Sequence, residues 1–181
     1  MDPKIYKTKD GQKFKVRLAT PDDYDESIMT FASVASEKLY LNTEEVAPDI
    51  KNVWTERWKD NGANHLFCVA EYHGKLTGGI VLNKYSKSPK TFHVLELGMW
   101  LLKEYRGDGM GSAMLEYVMN WARETPGIGK IVLGVWSTNI GALALYNKFG
   151  FHIEGCHRNI AKINGKYADE VLMAYDFENK E

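Results

Sequence analysis

Three glycines that directly follow an arginine are the first feature of this sequence that could do chemistry. Arg106 precedes Gly107, Gly109 and Gly111, and a helical pattern begins near Gly109. The first turn of a helix leaves N–H groups without acceptors, and the helix dipole gives them partial positive charge. Bare glycines would let an anion such as a diphosphate reach these groups, and Arg106 would add charge. A tight turn without a ligand is the alternative.

The glycine spacing does not match other nucleotide-binding turns. A dinucleotide turn, G-x-G-x-x-G, would need its third glycine at Ser112 or at Met114, and the next predicted strand ends without the required acid. A P-loop would need Gly-Lys followed by Ser or Thr. A methionine-cofactor methyltransferase would need an acid on the strand just before the glycines, and Lys103-Glu104-Tyr105 is not that arrangement. The pattern that fits is R-x-x-G-x-G, beginning at Arg106.

The composition indicates a folded protein without a polyelectrolyte partner. The 181 residues include 44% hydrophobic residues, enough to bury a core, and they fit one domain over 1–181 with a core from about 14 to 177. A net charge of −1 disfavours nucleic acid as a partner. No stretch reaches the ~18 apolar residues of a membrane span and no signal segment is present, so we expect a cytoplasmic protein with no membrane partner.

The cysteines and histidines do not have metal-binding spacing. Cys68 and Cys156 lie far apart in apolar, strand-like runs, which favours buried free thiols in a reducing compartment over a disulfide. The five histidines are scattered along the chain. We therefore predict no metal cofactor.

Hydrophobic periodicity and turn signals predict an α/β fold with a mixed sheet of about seven strands and about four helices. The predicted strands are 13–19, 65–72, 75–85, 92–102, 130–136, 151–163 and 167–177. The predicted helices run from Thr20 to about Leu39, from about Asp49 to Lys59, from about Gly109 to Glu124, and over 137–150.

Two motifs together resemble the GNAT superfamily of acetyl-CoA-dependent N-acetyltransferases. The glycine turn is similar to the pyrophosphate loop of that family, Q/R-x-x-G-x-G/A, and residues 139–151 are similar to its second hallmark segment, N-x-x-A-x-x-L-Y-x-x-x-G-F. The matches in the second segment are Asn139, Ala142, Leu145, Tyr146, Gly150 and Phe151. The motifs lie about 28 residues apart with a predicted strand between them, and the order of elements agrees from Phe14 to Phe177.

The resemblance implies a GNAT-like, mostly antiparallel sheet that is splayed between its fourth and fifth strands, with acetyl-CoA as cosubstrate. Pantetheine would pair with the main chain of the fourth strand, and the diphosphate would lie on the glycine turn. The implied cofactor-binding residues are Met99, Trp100, Leu101, Leu102, Arg106, Gly107, Asp108, Gly109, Met110, Gly111, Ser112, Asn139, Ala142 and Tyr146. Asn139 is equally well placed to cap its helix.

Acetyl transfer to an amine needs groups that move protons and stabilise charge. An alkylammonium has a pKa near ~10, so a base must first deprotonate it. Glu96 is our candidate base because it lies in an apolar strand, where partial desolvation would raise its pKa. A branch of the family that acts on small amino compounds also has a glutamate at this position. A structural ion pair or a sheet-edge carboxylate is the alternative role, and His93 is the other candidate base.

The remaining chemistry follows from the resemblance. Tyr146 would protonate the leaving thiolate, or else its ring packs in the core. A backbone N–H near Met99 would bind the oxyanion of the tetrahedral intermediate. We expect direct attack in a ternary complex, because Cys68 and Cys156 lie outside the motifs and disfavour an acetyl-cysteine route.

The sequence does not choose the acceptor. The resemblance allows a small-molecule amine, such as an amino acid, a polyamine or an aminoglycoside, or a peptide N-terminus. Trp54 and Trp58 lie one helical turn apart and would wall an acceptor pocket or pack in the core. The candidates for contact with an ammonium group are Glu37, Tyr40, Tyr167 and Asp169.

Two further questions stay open in the sequence. The alternative function is a non-catalytic acyl-CoA-binding sensor or regulatory module, and the presence of both Glu96 and Tyr146 favours the enzyme. The strand edges of the C-terminal hairpin are compatible with a homodimer.

Overall fold

Eight strands form one sheet and four helices pack on it in the computed structural model, which describes residues 1–58, 61–62 and 65–177, without the side chains of 51, 57 and 58. The strands are β1 (Lys4–Lys7), β2 (Lys13–Leu18), β3 (Leu66–Tyr72), β4 (Lys75–Lys84), β5 (Val94–Leu101), β6 (Lys130–Trp136), β7 (His152–Ile163) and β8 (Lys166–Asp176). The helices are α1 (Tyr24–Ala35), α2 (Ile50–Trp58), α3 (Met110–Glu124) and α4 (Ile140–Lys148).

The sheet is mixed and mostly antiparallel, as the sequence predicts. Its spatial order is β1-β2-β3-β4-β5-β6-β8-β7, and β5–β6 is the parallel pair. β1 is the strand that the sequence analysis missed. Its Ile5 is 57% exposed, so its apolar pattern is weak, and it is held by pairing with β2 and by a contact from Lys4 to Glu116 of α3.

β5 and β6 separate after a short parallel ladder. Val94 pairs with Lys130, Leu95 with Ile131 and Glu96 with Val132. Beyond Glu96 both strands continue, β5 to Leu101 and β6 to Trp136, but the ladder between them ends. The expected splay is therefore confirmed, and it lies between the fifth and sixth strands because β1 adds one to the count.

The two faces of β5 pack into different core clusters. Leu95, Leu97 and Leu101 belong to the cluster under α3, and Trp100 belongs to the cluster with α1 and α2. This division follows from the alternation of side chains along a strand. Glu96 has the same parity as Trp100 and therefore belongs to the α1 and α2 face.

Trp100 is locked in place by two glycines and one hydroxyl group. A Cβ at Gly79 would lie 2.4 Å from the indole ring, and a Cβ at Gly78 would lie 2.3 Å from the Trp100 carbonyl oxygen. The indole N–H donates to Thr30 Oγ1 at 3.0 Å, which ties β5 to α1. The consecutive glycines of β4 are therefore explained by the close approach of β5.

Two expectations from the sequence are corrected here and one is confirmed. α1 ends at Ala35 and not near Leu39, and Lys38 already has a positive φ of 57°. Cys156 is exposed and not buried, because β7 is an edge strand. Cys68 is buried as expected, and burial raises the pKa of its thiol.

Gly79→Ala should destabilise the protein by about 1–3 kcal/mol, because its Cβ would displace the indole of Trp100 from a packed site. Urea unfolding followed by tryptophan fluorescence measures the change. The matched control is Gly141→Ala in α4, where a Cβ meets nothing within 4 Å and should be neutral or slightly stabilising. Equal stability of the two variants would contradict the packing described for Trp100.

Candidate active site

The glycine turn between β5 and α3 has a backbone that requires glycine. Gly107 has a φ of 78° and Gly109 a φ of 94°, both in the left-handed region. A Cβ at either residue would meet nothing within 4 Å, so the space above the turn is open. A ligand can therefore approach the main chain directly at these two residues.

The N-terminus of α3 presents its amides to this open space. Gly109 accepts the N–H of Ala113 at 3.1 Å, the first helical hydrogen bond. The amides of Met110, Gly111 and Ser112 precede that bond and have no acceptor within the helix. Together with the helix dipole, they form a site that favours an anion.

Asp108 anchors the turn to the first hairpin of the sheet. The backbone N–H of Lys9 donates to Asp108 Oδ1 at 3.0 Å and to its carbonyl oxygen at 3.3 Å. These bonds fix the position of the loop. The carboxylate of Asp108 therefore has a structural role beside the amides that face the open space.

Arg106 binds Glu37 in the segment that follows α1. Its Nη1 donates to Glu37 Oε2 at 2.8 Å, its Nη2 donates to Glu37 Oε1, and its guanidinium lies 4.8 Å from the centre of the Tyr40 ring. The hydrogen bonds from Arg106 lower the pKa of Glu37, and the bonds to Glu37 raise the pKa of Arg106. Three residues that the sequence assigned separately, to the diphosphate and to the acceptor, thus form one cluster.

The main chain of β5 offers donors to the gap between β5 and β6. Tyr85 N–H donates to Val94 O at 3.1 Å, and Leu102 N–H donates to Thr77 O at 2.9 Å. Backbone groups alternate in direction along a strand, so even-numbered residues of β5 bond to β4. The amides of Met99 and Leu101 therefore point to the gap.

Two of the four predicted main-chain contacts to pantetheine are corrected by this alternation. The amide of Leu102 donates to the carbonyl oxygen of Thr77, and that of Trp100 is directed at β4 in the same way.

The side of the gap near α3 is closed by Met99 and Leu145. A Cβ at Gly111 would lie 3.5 Å from Leu145 Cδ2 and 3.9 Å from Met99 Cε, so this glycine lets α3 and α4 approach each other.

The second motif forms the start of α4 and its buried face. Asn139 Oδ1 accepts the N–H of Ala142 at 3.2 Å, so of its two expected roles the structure shows the helix cap. Tyr146 is 6% exposed, and its ring lies 5.6 Å from that of Phe151. Burial raises the pKa of Tyr146.

Glu96 lies where β5 and β6 separate, but it is exposed, which contradicts the expected desolvation. It pairs with Asn83 of β4 across the sheet and lies two residues from Gly98 on the same face. Tyr146 belongs to the cluster on the opposite face, under α3. The two candidate catalytic side chains therefore lie on opposite faces of the sheet.

The alternative base, His93, lies at the closed end of the β5–β6 pair. Its carbonyl accepts the N–H of Gly129 at 2.9 Å and that of Lys130 at 3.0 Å. It precedes the ladder whose far end is Glu96. Its position therefore favours Glu96 as the residue nearer to the gap.

A cavity of about 230 Å³ opens on the α1 and α2 face beside Gly98. Its aromatic wall consists of Phe31, Trp54, Phe67 and Trp100. Trp54 stacks on Trp100 with ring centroids 5.6 Å apart, so it is both a core residue and a wall residue. The side chain of Trp58, the other half of the predicted pair, lies outside the described part of the chain.

The cavity also contains residues that sequence reasoning missed. Leu41, His65 and Asn83 line it, and they come from three separate segments. A register argument would have found Asn83, because it pairs with Glu96. No periodic signal marks Leu41 or His65.

The last candidates for an ammonium contact lie in the C-terminal hairpin. Asp169 Oδ1 accepts the backbone N–H of Asn159 at 2.8 Å, which gives it a structural role. Tyr167 is 65% exposed, and the ammonium of Lys162 lies 5.0 Å from its ring centre. Neither residue lines the cavity.

One exposed group of side chains has metal-ligating atoms in the described chain. Ligand atoms of His152, Glu154 and Asp176 lie within 4.8 Å of one another. The ammonium of Lys130 contacts Glu154 and lies 3.2 Å from Asp176. This cation already compensates the two carboxylates and opposes a metal ion at the same place.

Comparison with known proteins decides the family. Residues 33–151 match the model of the acetyltransferase (GNAT) family. The chain belongs to the GNAT family. The enzyme class of the chain is acetyl-CoA-dependent N-acetyltransferase.

Relatives of known name support this membership over most of the chain. An L-amino acid N-acetyltransferase of Escherichia coli is 32% identical over 145 residues, which are 77% of this chain and 85% of that protein. A GNAT acetyltransferase structure from Streptococcus pneumoniae has a TM-score of 0.81 and 25% identity, covering 91% of this chain and 99% of that one.

A third comparison supports the fold alone. The yncA protein of Salmonella typhimurium, whose structure contains acetyl-CoA as its cofactor, has a TM-score of 0.82 at 18% identity. The match covers 93% of this chain and 96% of that one.

Among the residues that the structure describes, no helix is long and apolar enough to cross a bilayer.

The Arg106–Glu37 pair should contribute roughly 1–2 kcal/mol to the free energy of unfolding at pH 7, because both side chains are partly buried and share two charge-assisted hydrogen bonds. A double-mutant cycle with Arg106→Gln and Glu37→Gln measures this coupling. The folded state lowers the pKa of Glu37, so the contribution is present above the ordinary pKa of a glutamate. It is lost as the pH falls through the lowered value. A coupling that is unchanged between pH 7 and pH 3 would contradict the ion pair.

Proposed function

We propose that this GNAT protein transfers the acetyl group of acetyl-CoA to the primary amine of an amino-acid-like acceptor, by direct attack in a ternary complex. The observation that carries the proposal is a track formed by two separate sets of main-chain donors. The track begins at Met99 and Leu101 in the gap beside β5, and it ends at the first amides of α3. This arrangement suits an extended ligand that ends in an anion.

The track fits the parts of acetyl-CoA in order. The pantetheine arm would pair with the main chain of β5 at Met99 and Leu101, as an added strand does. The diphosphate would bind the first amides of α3, at Met110, Gly111 and Ser112, from the open space beside Gly107 and Gly109. Arg106 lies at the same loop, but its charge is compensated by Glu37, so the amides and the helix dipole would hold the diphosphate.

The thioester would then lie near Glu96, where β5 and β6 separate. Because Glu96 is exposed at the end of the ladder, it would accept the proton of the acceptor's ammonium directly or through a water molecule. The amide of Met99, which points to the gap, would donate to the oxyanion that forms on the acetyl carbon.

Tyr146 would return a proton to the departing thiolate. A cysteine-like thiol has an ordinary pKa of ~8.5, so the thiolate that leaves at neutral pH gains from an acid nearby. Burial raises the pKa of Tyr146, which keeps its phenol protonated at neutral pH beside the thiolate but also makes it a weaker acid. Its place at the buried face of α4 supports this role.

The acceptor proposal draws on the relative with a named substrate class. The E. coli relative, 32% identical over 77% of this chain, is an L-amino acid N-acetyltransferase. We therefore place an α-amine first among the acceptors. The alternative is a sensor that binds acyl-CoA without turnover, and thiol release in the presence of an amino acid panel separates the two.

Gly109→Val should abolish acetyl-CoA binding while the fold survives, because a side chain there would stand over the amides that receive the diphosphate. Calorimetric titration with acetyl-CoA measures the loss, which we expect to exceed about 100-fold (~2.7 kcal/mol) in Kd. Gly127→Val is the matched control, because Gly127 has a positive φ of 82° and open space but lies in the loop after α3. Wild-type affinity in the Gly109 variant would refute the diphosphate site.

Glu96→Gln should lower kcat/KM by roughly 10²–10⁴-fold, mainly at pH values where the carboxylate is ionised, because general base catalysis is lost. A pH profile of thiol release measures it, with Glu104→Gln in the turn after β5 as the control. A profile of wild-type shape would move the role to His93 or to water.

Tyr146→Phe tests the acid in the same assay. We expect a lower kcat with an unchanged Kd for acetyl-CoA, because the ring stays packed against Phe151 and only the hydroxyl is lost. A proportionate fall in stability and activity would assign Tyr146 to the core instead.

A further inference from the structure

The cavity beside Gly98 has the size of one side chain. Its volume is about 230 Å³, larger than the ~150 Å³ of an engineered protein cavity that binds benzene and smaller than the ~300 Å³ lower limit of pockets for drug-sized ligands. A phenyl group or a branched aliphatic group therefore fits it. A polyamine chain or an aminoglycoside ring system exceeds it.

The walls of the cavity are mostly apolar, with His65 and Asn83 as the polar side chains. Besides the four aromatic rings, it is lined by Leu41, Val81 and Met99, and no Asp, Glu, Lys or Arg lines it among the described residues. A charged side chain would lose its hydration there without a partner, which is costly. The surroundings thus oppose acceptors with a second ammonium or a side-chain carboxylate.

One polar atom in the wall lacks a partner. Nδ1 of His65 is buried, and it has no hydrogen-bond partner among the described residues. A buried polar atom without a partner costs free energy that a ligand group can recover. Because Nδ1 is shielded from solvent, a rotation of the imidazole ring would turn it toward the cavity, where the oxygen next to the α-amine of an amino acid would accept its proton.

The cavity is also adjacent to the candidate base. Gly98 lines it, and Glu96 lies two residues away on the same face of β5. An α-amine whose side chain enters the cavity would therefore lie near Glu96. A Cβ at Gly98 would lie only 3.1 Å from Val81 Cγ2, so this glycine leaves the side chain of Val81 in its place in the cavity wall.

From these observations, and resting on the proposed acetyltransferase function, we propose that this cavity binds the side chain of the acceptor. It selects an α-amine that carries an uncharged apolar side chain up to the size of a phenyl ring. The free amino acid and the N-terminal residue of a peptide share this chemistry. His65 is the specificity-determining residue that contacts the neighbouring oxygen in either case.

The first experiment measures kcat/KM for thiol release from acetyl-CoA with L-alanine, L-leucine, L-phenylalanine, L-lysine, spermine and phenylalanyl-glycine. Phenylalanine or leucine should exceed alanine by about 100-fold or more, because each buried methylene contributes to transition-state binding. Lysine and spermine should fall below alanine. Phenylalanine against phenylalanyl-glycine distinguishes the free amino acid from a peptide N-terminus.

The second experiment places a charge in the wall. Leu41→Glu should lower kcat/KM for phenylalanine by at least about tenfold and raise it for lysine, because the new carboxylate pairs with a side-chain ammonium. Met29→Glu is the matched control, since Met29 is 70% exposed on α1 and lies outside the cavity. It should leave both values at the wild-type level.

The third experiment tests His65 with phenethylamine, which has the phenyl ring and the amine of phenylalanine but no carboxyl group. His65→Leu should lower the wild-type ratio of kcat/KM for phenylalanine over phenethylamine by about tenfold, the value of one hydrogen bond to a charged group. A merely structural role would lower both substrates equally and leave the ratio unchanged, which would overturn the contact.

The outcomes separate this inference from the function on which it rests. Turnover that favours lysine or spermine over phenylalanine would overturn the pocket assignment while the acetyltransferase function stands. Acetyl-CoA binding without thiol release from any acceptor would overturn the function itself. A preference for phenylalanine that Leu41→Glu does not change would also overturn the placement of the side chain in this cavity.

Discussion

The separation of β5 from β6 after Glu96 is the constraint on which the rest of the site depends. Backbone N–H and C=O groups inside a protein need partners, and a strand normally finds them in its neighbour. By ending the ladder early, the sheet leaves the amides of Met99 and Leu101 directed at a gap. The glycine turn that follows β5 leads to a second set of donors, the first amides of α3. Water or an extended ligand must complete the hydrogen bonds that β6 does not.

The two faces of β5 place different groups of side chains beside this gap. The face under α3 holds the cluster that buries Tyr146, and the other face holds the aromatic wall around Trp100. The indole of Trp100 packs on Gly79 and donates its N–H to Thr30. These contacts hold the aromatic wall in one position. In the direct transfer that we propose, acetyl donor and acceptor would approach the same point from opposite sides of this strand.

The sequence predicted the elements and the motif residues well, because periodicity, caps and glycines report local structure. It did not predict the features that depend on contacts between segments far apart in the sequence. Alternation assigns Glu96 to a face, but only the extent of the helices shows that this face is uncovered at Glu96. The bond between Arg106 and Glu37 spans 69 residues, and the cavity is assembled from separate segments, so neither has a local signature. β1 was not predicted because its residues are mostly exposed and give no apolar alternation; pairing with β2 holds this strand in the sheet.

The bidentate contact between Arg106 and Glu37 also constrains how this chain can diverge. If Arg106 were replaced by a neutral residue, a partly buried carboxylate would lose its compensating cation, and the reverse change would leave the guanidinium unpaired. Natural variation at the two positions should therefore be correlated, so that an acid at position 37 accompanies a cation at position 106. The motif of the glycine turn thereby includes a residue that lies outside it, in the segment after α1.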